Sequence, residues 1–192
     1  MTHPTQIAAQ DYKTTWSGSA RRIFTGGDPV DGSFRERDWK VVLLQGGLAL
    51  EDVDFDALVD AASYSGDSTF VAAPYAEFGE REPQFLLGWK RPDLEHVRTE
   101  SLLGHVDTIM FGQSARWGVL ASPENFAVLG GTSQWMERFL LVAGGTQMVE
   151  DRFRRAAQED VIGFGSQGRQ YVDALLRAVN WKPLERSSSS AS

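Results

Sequence analysis

The sequence predicts an α+β domain in which a mainly antiparallel sheet carries one helix near residues 54–63 and further helices from the C-terminal part. Three observations predict this class. Short apolar runs gather between residues 40 and 129, tight turns join the last of them, and helical periodicity dominates after residue 132. The chain has 192 residues, enough for one sizeable core, and we predict a single domain over residues 1–186.

Both ends of the chain are polar. Residues 1–38 are interrupted by Gly26-Gly27-Asp28-Pro29 and by Asp31-Gly32, which predicts an irregular arm with little regular structure. Apolar side chains should anchor this arm on the domain, namely Trp16, Ile23, Phe24 and Phe34. Residues 187–192 form a Ser-rich tail with nothing to bury, so we predict disorder there.

The first elements after the arm alternate between strand and helix. Residues 40–45 are a β-branched apolar run closed by two glycines, which is typical of a buried strand. A helix should follow, because Phe55, Leu58, Val59 and Ala62 recur at spacings of three and four and so share one face. Asp52 or Asp54 can cap its N-terminus. Residues 69–73 and 84–89 are predicted as the next two strands.

A hairpin is the clearest local signal. The runs 116–121 and 126–129 are joined by Ser122-Pro123-Glu124-Asn125, which are favoured turn residues. The run 108–111, which ends at Gly112, should pair beside them. Three consecutive strands with short connections predict an antiparallel meander.

Three helices are predicted after the meander. Thr132 or Ser133 can cap the first, which Gly144-Gly145 ends. Thr146 can cap a second through about residue 158, and a third covers about residues 169–180. We expect these helices to cover one face or one edge of the sheet.

The composition excludes several classes of protein. Twenty-six acidic residues against 19 basic ones give a net charge of −7, and the basic residues are scattered, which argues against nucleic-acid binding. Without cysteine there is no disulfide and no thiolate nucleophile or ligand. No apolar run is long enough for a membrane helix, and residues 1–6 lack a secretory pattern. We therefore expect a soluble cytoplasmic protein.

Two motifs have ordinary interpretations. Residues 163–168 match G-x-G-x-x-G, but no buried strand precedes them and little chain follows, so we interpret them as a helix–helix loop and expect no cofactor.

His3, His96 and His105 lack the spacing of metal ligands, and we expect no metal. His105 lies near Ser101 and Asp107, but without a G-x-S-x-G elbow we predict a surface histidine and no catalytic residue.

Acidic residues form the candidate binding surface. Five of them lie within ten residues that contain no base: Glu51, Asp52, Asp54, Asp56 and Asp60. A loop adds Glu77, Glu80 and Glu82, beside Tyr75, Phe78 and Arg81. Part of the first group can be explained by the helix dipole, and the loop can be a solvated connection or a site for acid–base work. We predict that both groups attract a protein partner with a basic surface.

Tryptophans lie at the ends of predicted elements: Trp39, Trp89, Trp117, Trp135 and Trp181. At such positions an indole can pack its ring and still donate its N–H to a polar partner. Most of these residues should belong to the core, while one or two could anchor an interface.

The segment Phe111–Gly131 contains W-G and G-G on the two sides of the S-P-E-N turn. It resembles the strand–turn–strand signature of small bacterial proteins of the immunity type. These proteins are encoded beside secreted toxins and neutralise them by binding. The resemblance implies a binding protein and assigns no functional residue here.

Three functions follow as hypotheses. The first is a non-enzymatic immunity or antitoxin protein that neutralises a toxin by occlusion. The second is a small hydrolase or transferase that uses carboxylates of the Glu77–Glu82 loop and His105 in a cleft. The third is an assembly component of a phage or secretion system. The first assumes that side chains capable of chemistry do not converge in the fold.

Overall fold

The α+β class is confirmed by a computed structural model, which describes residues 4–159 and 168–184. A seven-stranded antiparallel sheet has the strand order β1-β4-β3-β5-β6-β7-β2. The strands are β1 (Thr5–Ile7), β2 (Lys40–Gln45), β3 (Thr69–Pro74), β4 (Gln84–Gly88), β5 (Thr108–Gly112), β6 (Trp117–Ser122) and β7 (Phe126–Gly131).

The helices of the described ranges are α1 (Ala9–Thr15), α2 (Ser17–Ile23), α3 (Asp52–Tyr64), α4 (Arg91–Glu100), α5 (Ser133–Ala143), α6 (Thr146–Gln158) and α7 (Gly168–Ala178). Short 3-10 turns lie at Pro29–Asp31, Ala76–Gly79 and Leu102–His105. None of these helices is both long enough and apolar enough to span a bilayer.

The predicted meander is confirmed. β5, β6 and β7 pair in sequence order, and Asn125 in the turn has the positive φ of 63° that asparagine tolerates. Every residue of these three strands is buried. Because successive side chains of a strand point to opposite faces, both faces of the sheet must be covered.

Helices do cover both faces, so the expectation that the C-terminal helices cover one face or edge was wrong. α3, α4 and α5 pack on one face, together with Val119 and Ala121 of β6. The N-terminal segment and α7 pack on the other face, together with Leu120. α6 follows the edge strand β2 and reaches both cores through Val149 and Phe153. The apolar residues on both faces of β6 require this arrangement.

The N-terminal arm is more regular than predicted. Residues 5–23 contain a strand and two helices, and the prediction of little regular structure was wrong there. Tyr12, Ala20 and Ile23 are buried, while the polar residues between them are mostly exposed, so the segment is an amphipathic covering layer. The anchors act as expected: Ile23 and Phe24 are buried, and Trp16 and Phe34 pack against the same core.

Several boundaries differ in detail. Sequence analysis missed α4, whose buried apolar residues are only Leu94 and Val97. Thr132 precedes α5 without a side-chain cap, and Gly144 ends the helix with a φ of 92°. Thr146 lies inside α6. The predicted tail and residues 163–167 of the glycine motif lie outside the described residues.

Candidate binding clefts at one end of the sheet

The acidic residues of α3 are largely neutralised by arginines. Asp52 pairs with Arg91 at 2.9 Å, and Asp60 pairs with Arg138. Arg152 pairs with both Glu51 and Asp54. Asp56 is exposed and forms no ion pair with a residue that the structure describes. Helix α3 therefore presents less negative charge than its sequence indicates.

Asp54 does not lie on the surface at all. It is 1 % exposed, and burial raises the pKa of its carboxyl above the usual value, while the hydrogen bond and charge of Arg152 act in the opposite direction. The same guanidinium donates to the backbone oxygen of Ala143, 3.1 Å away. Asp54 is thus part of a buried ion pair that ties α3 to α6 and to the end of α5.

The loop acids lie apart from the acids of α3. Glu80 pairs with Arg21 of α2, and Glu82 is exposed. The side chain of Glu77 lies outside the described part of the structure. Helix α3 packs on one face of the sheet, whereas Tyr75 and Phe78 pack on the other. The two acidic groups are therefore attached to opposite faces.

A cleft of about 530 Å³ lies at the end of the sheet where β3 finishes and β5 begins. We call it the His105 cleft. Its charged and polar lining consists of Tyr75, Arg81, Glu82, His105 and Asp107, and its apolar lining includes Leu102 and Pro123. The pairing of Pro74 with Thr108, and the 2.7 Å hydrogen bond from the Tyr75 amide to the Asp107 carbonyl, hold its two sides together.

Glu82, His105 and Asp107 therefore share one cleft, and the expectation that such side chains do not converge was wrong. Antiparallel pairing of β3 with β5 brings them together from distant sequence positions. All three are exposed, and no hydrogen bond from the described residues orients the side chain of His105 or Glu82. General acid–base catalysis favours groups that are held in place by such bonds.

A second cleft of about 320 Å³ adjoins the first one and shares Asp107 and Pro123 with it. We call it the Tyr171 cleft. Its other lining residues are Ser122, Glu124, Phe126 and Tyr171, so the β6–β7 turn forms one side and α7 the other. This proximity of α7 to the β6–β7 turn has no signal in the sequence, because only the tertiary fold brings the two segments together.

Negative charge is concentrated beside the two clefts. Asp107 is exposed as a residue, but partial desolvation of its carboxyl in the cleft raises its pKa, and the nearby carboxylates of Asp28 and Glu124 raise it further, while a hydrogen bond from Ser122 lowers it. Burial, and then the same three carboxylates, raise the pKa of Tyr171, whose hydroxyl donates to Asp28 Oδ1 at 3.4 Å. None of the three pairs with a described lysine or arginine, and no described cluster fits a metal ion.

Asp67 forms a separate buried centre that sequence analysis missed. It is 4 % exposed, and its carboxylate accepts hydrogen bonds from the amide and hydroxyl of Ser114, from Ser65 and from Trp117 Nε1. Trp89 donates to its backbone oxygen at 2.8 Å. The sequence Gly66-Asp67-Ser68 resembles an ordinary turn, so nothing local indicated this role.

The prediction that a tryptophan packs its ring and still donates its N–H to a polar partner is therefore confirmed for Trp89 and Trp117. It is wrong for Trp135, whose buried N–H has no hydrogen-bond partner among the described residues. These three indoles lie in one row. Ring centroids are 5.6 Å apart for Trp89 and Trp117 and 5.5 Å apart for Trp117 and Trp135, and Phe70 and Phe139 extend the row at its ends. The row belongs to the core and not to an interface.

The two clefts thus provide the strongest candidate site, with carboxylates, tyrosines and a histidine around an apolar lining. Comparison with known proteins adds no assignment to this geometry. No family model, no curated protein and no solved structure matches the chain.

Proposed function

We propose that this chain is a protein-binding module of the immunity or antitoxin type, which neutralises a partner by covering a basic surface on it. The observation that supports this proposal best is the set of carboxylates of Asp28, Asp107 and Glu124 beside two adjoining clefts, which form no ion pair with a described lysine or arginine. The acids of α3 differ, because arginines neutralise most of them.

Like charges that lie close together destabilise a fold, and fold stability does not call for them. A partner that brings lysine or arginine side chains to the clefts would relieve this repulsion. The clefts also offer aromatic and apolar contact, because the half-buried Tyr171 lines one of them and Leu102 at the rim of the other is 52 % exposed. Arginines and aromatic anchors dominate the energy of many protein interfaces.

Occlusion requires only that the clefts and their rim cover the partner's functional surface. An interface of standard size buries about 800 Å² on each partner, which is larger than the clefts alone. The clefts would therefore take the central basic side chains, and the surrounding surface would exclude water. A negative field around the site would also speed association with a basic partner.

The test is a binding measurement between this chain and the product of the adjacent open reading frame. We expect a complex at micromolar concentration that the double variant Asp107→Asn/Glu124→Gln weakens at least about tenfold. The matched control Asp56→Asn/Glu100→Gln removes the same charge from exposed positions and should leave affinity within about twofold. Equal weakening by both double variants, or no complex, would contradict the proposal.

A second candidate function is a small hydrolase or transferase, because Glu82, His105 and Asp107 line one cleft. His105 would act as the general base and a carboxylate as its partner. Turnover of p-nitrophenyl acetate or p-nitrophenyl phosphate that is lost in His105→Ala and retained in the control His96→Ala would support this candidate. Equal activity of His105→Ala and the unmodified chain would exclude His105 from the chemistry.

A further inference from the structure

A third cavity, of about 580 Å³, lies over the edge strand β2 and shares no lining residue with the two clefts. We call it the tryptophan cavity, because Trp39 and Trp181 line it. Its remaining walls come from residues within 29–42, from Val128, from Leu140 of α5 and Thr146 of α6, and from the segment 178–180 at the end of α7. The volume falls within the range of small-molecule sites, which are typically apolar and aromatic with a few polar groups.

One buried hydroxyl at this cavity, that of Ser33, lacks a hydrogen-bond partner among the residues that the structure describes. Ser33 is 3 % exposed, and its buried hydroxyl has no hydrogen-bond partner. The indole N–H groups of Trp39 and Trp181 form no hydrogen bond with any described residue. A buried polar group without a partner costs about 1–3 kcal/mol, so the hydroxyl of Ser33 indicates a molecule that completes it.

The aromatic walls are fixed in position. The Trp39 ring lies 5.4 Å from the ring of Phe34, and the Trp181 ring lies 6.2 Å from the ring of Phe153, measured between centroids. No ring contact joins the two indoles to each other among the described residues. Both indoles line the cavity and each is held by a neighbouring ring, so they provide apolar surface for a planar ring without a large ordering cost.

The charge of the lining differs from that of the whole chain. Glu36 is its one acidic residue, against Arg37 and Lys40, whereas the chain has 26 acidic and 19 basic residues. Lys40 donates to Glu137 at 3.1 Å, and Arg37 is exposed and forms no ion pair with a described residue. A guanidinium at the mouth of an aromatic cavity favours an anion, which it can bind through two parallel hydrogen bonds.

We propose that the tryptophan cavity binds a small planar aromatic carboxylate. The ring packs between the indoles, and the carboxylate faces Arg37 and accepts from unpaired donors at the cavity. This inference is independent of the proposed function, because it uses none of the residues of the His105 and Tyr171 clefts.

The probe for the test is 2-naphthoate, titrated into the full chain by isothermal titration calorimetry. We expect saturable binding with one site per chain and a Kd below about 1 mM, since a ring of this size reaches such affinities. The cationic analogue 2-naphthylmethylamine has the same ring and should bind at least about tenfold more weakly. Equal binding of the two compounds, or no saturation up to about 10 mM, overturns the proposal.

Variants separate this site from adventitious binding. Arg37→Ala should weaken 2-naphthoate at least about fivefold, and Ser33→Ala should also weaken it, without lowering the thermal midpoint, because the hydroxyl has no partner to lose. The matched control Arg22→Ala removes an exposed arginine elsewhere and should not change affinity. If Arg37→Ala binds as tightly as the unmodified chain, the carboxylate does not face this cavity and the inference fails.

Discussion

Gly118 and Gly130 pair directly across strands β6 and β7, and together they form the flat area on which the N-terminal segment lies. A Cβ atom on Gly118 would lie 2.7 Å from Ile23 and 2.8 Å from Phe24, and one on Gly130 would lie 2.5 Å from Phe34. The glycines of the W-G and G-G dipeptides therefore have a packing reason in this chain.

The variant Gly130→Ala tests this contact. The added methyl group must displace the ring of Phe34, so we expect the free energy of unfolding to fall by about 1–3 kcal/mol. Amide hydrogen exchange of residues 24–35 should become faster than that of β6. The control Gly18→Ala adds a methyl group in α2 where nothing lies within 4 Å, and should cost no stability. A loss confined to Gly18→Ala would contradict the packing argument.

Asp67→Ala should be among the most destabilising single substitutions in the chain. It removes four hydrogen bonds and leaves the buried donors of Trp117 and Ser114 without an acceptor. We expect a loss of about 2–4 kcal/mol in urea denaturation. Asp56→Ala, in exposed α3 surface, should change stability by less than about 0.5 kcal/mol. Similar midpoints for the two variants would show that Asp67 does not hold this part of the core together.

Arg152→Ala should destabilise the chain in a pH-dependent way. The substitution leaves Asp54 buried beside Glu51 without a cation, so the pKa of Asp54 rises further above its unfolded value. Below that raised pKa the folded state keeps Asp54 neutral, and stability is lost as the pH rises through it. We expect a loss of about 3–5 kcal/mol near pH 8 and a smaller loss near pH 5.

Denaturant titration at the two pH values measures this difference. The control Arg98→Ala breaks the exposed pair with Glu95 and should cost less than about 1 kcal/mol at both values. A loss from Arg152→Ala that is larger at the lower pH would show that a different group titrates.

The affinity for a basic partner should depend on the charge of Asp107. Its pKa is raised, so the carboxylate is charged above that value and becomes neutral as the pH falls through it. Binding should therefore weaken on acidification at a higher pH than an ordinary aspartate would cause. Asp107→Asn should bind more weakly and lose this part of the pH profile. Because His105 and Glu82 are present in both proteins, the difference between the two profiles reports the charge of Asp107 together with its effect on the neighbouring Asp28 and Glu124.

Much of the fold could be predicted from local pattern. β2, β3 and the β6–β7 hairpin combine apolar runs with turn residues such as Pro123 and Asn125, and the structure contains each of them. The two short N-terminal helices could not be predicted in this way. Tyr12, Ala20 and Ile23 are too widely spaced to mark a helical stripe, and they become an apolar face only against the sheet.

The candidate site was harder to predict, because it depends on pairing between distant strands. The acids of α3 were conspicuous in the sequence, but their partners Arg91, Arg138 and Arg152 come from three other helices. Conversely, three carboxylates that are far apart in the sequence come close together only at the end of the sheet, namely those of Asp28, Asp107 and Glu124. The run of acids along α3 therefore indicated more unneutralised charge on that helix than the ion pairs of the structure leave.

The row of Trp89, Trp117 and Trp135 gives the chain an optical signature. Neighbouring indoles that lie within 6 Å and nearly parallel, as Trp117 and Trp135 do at 14°, couple their electronic transitions. Near-ultraviolet circular dichroism should accordingly show a strong band from this row, and excitation should migrate along it before emission. The spectrum thus reports directly on whether the core between α5 and the sheet is intact, without any added label.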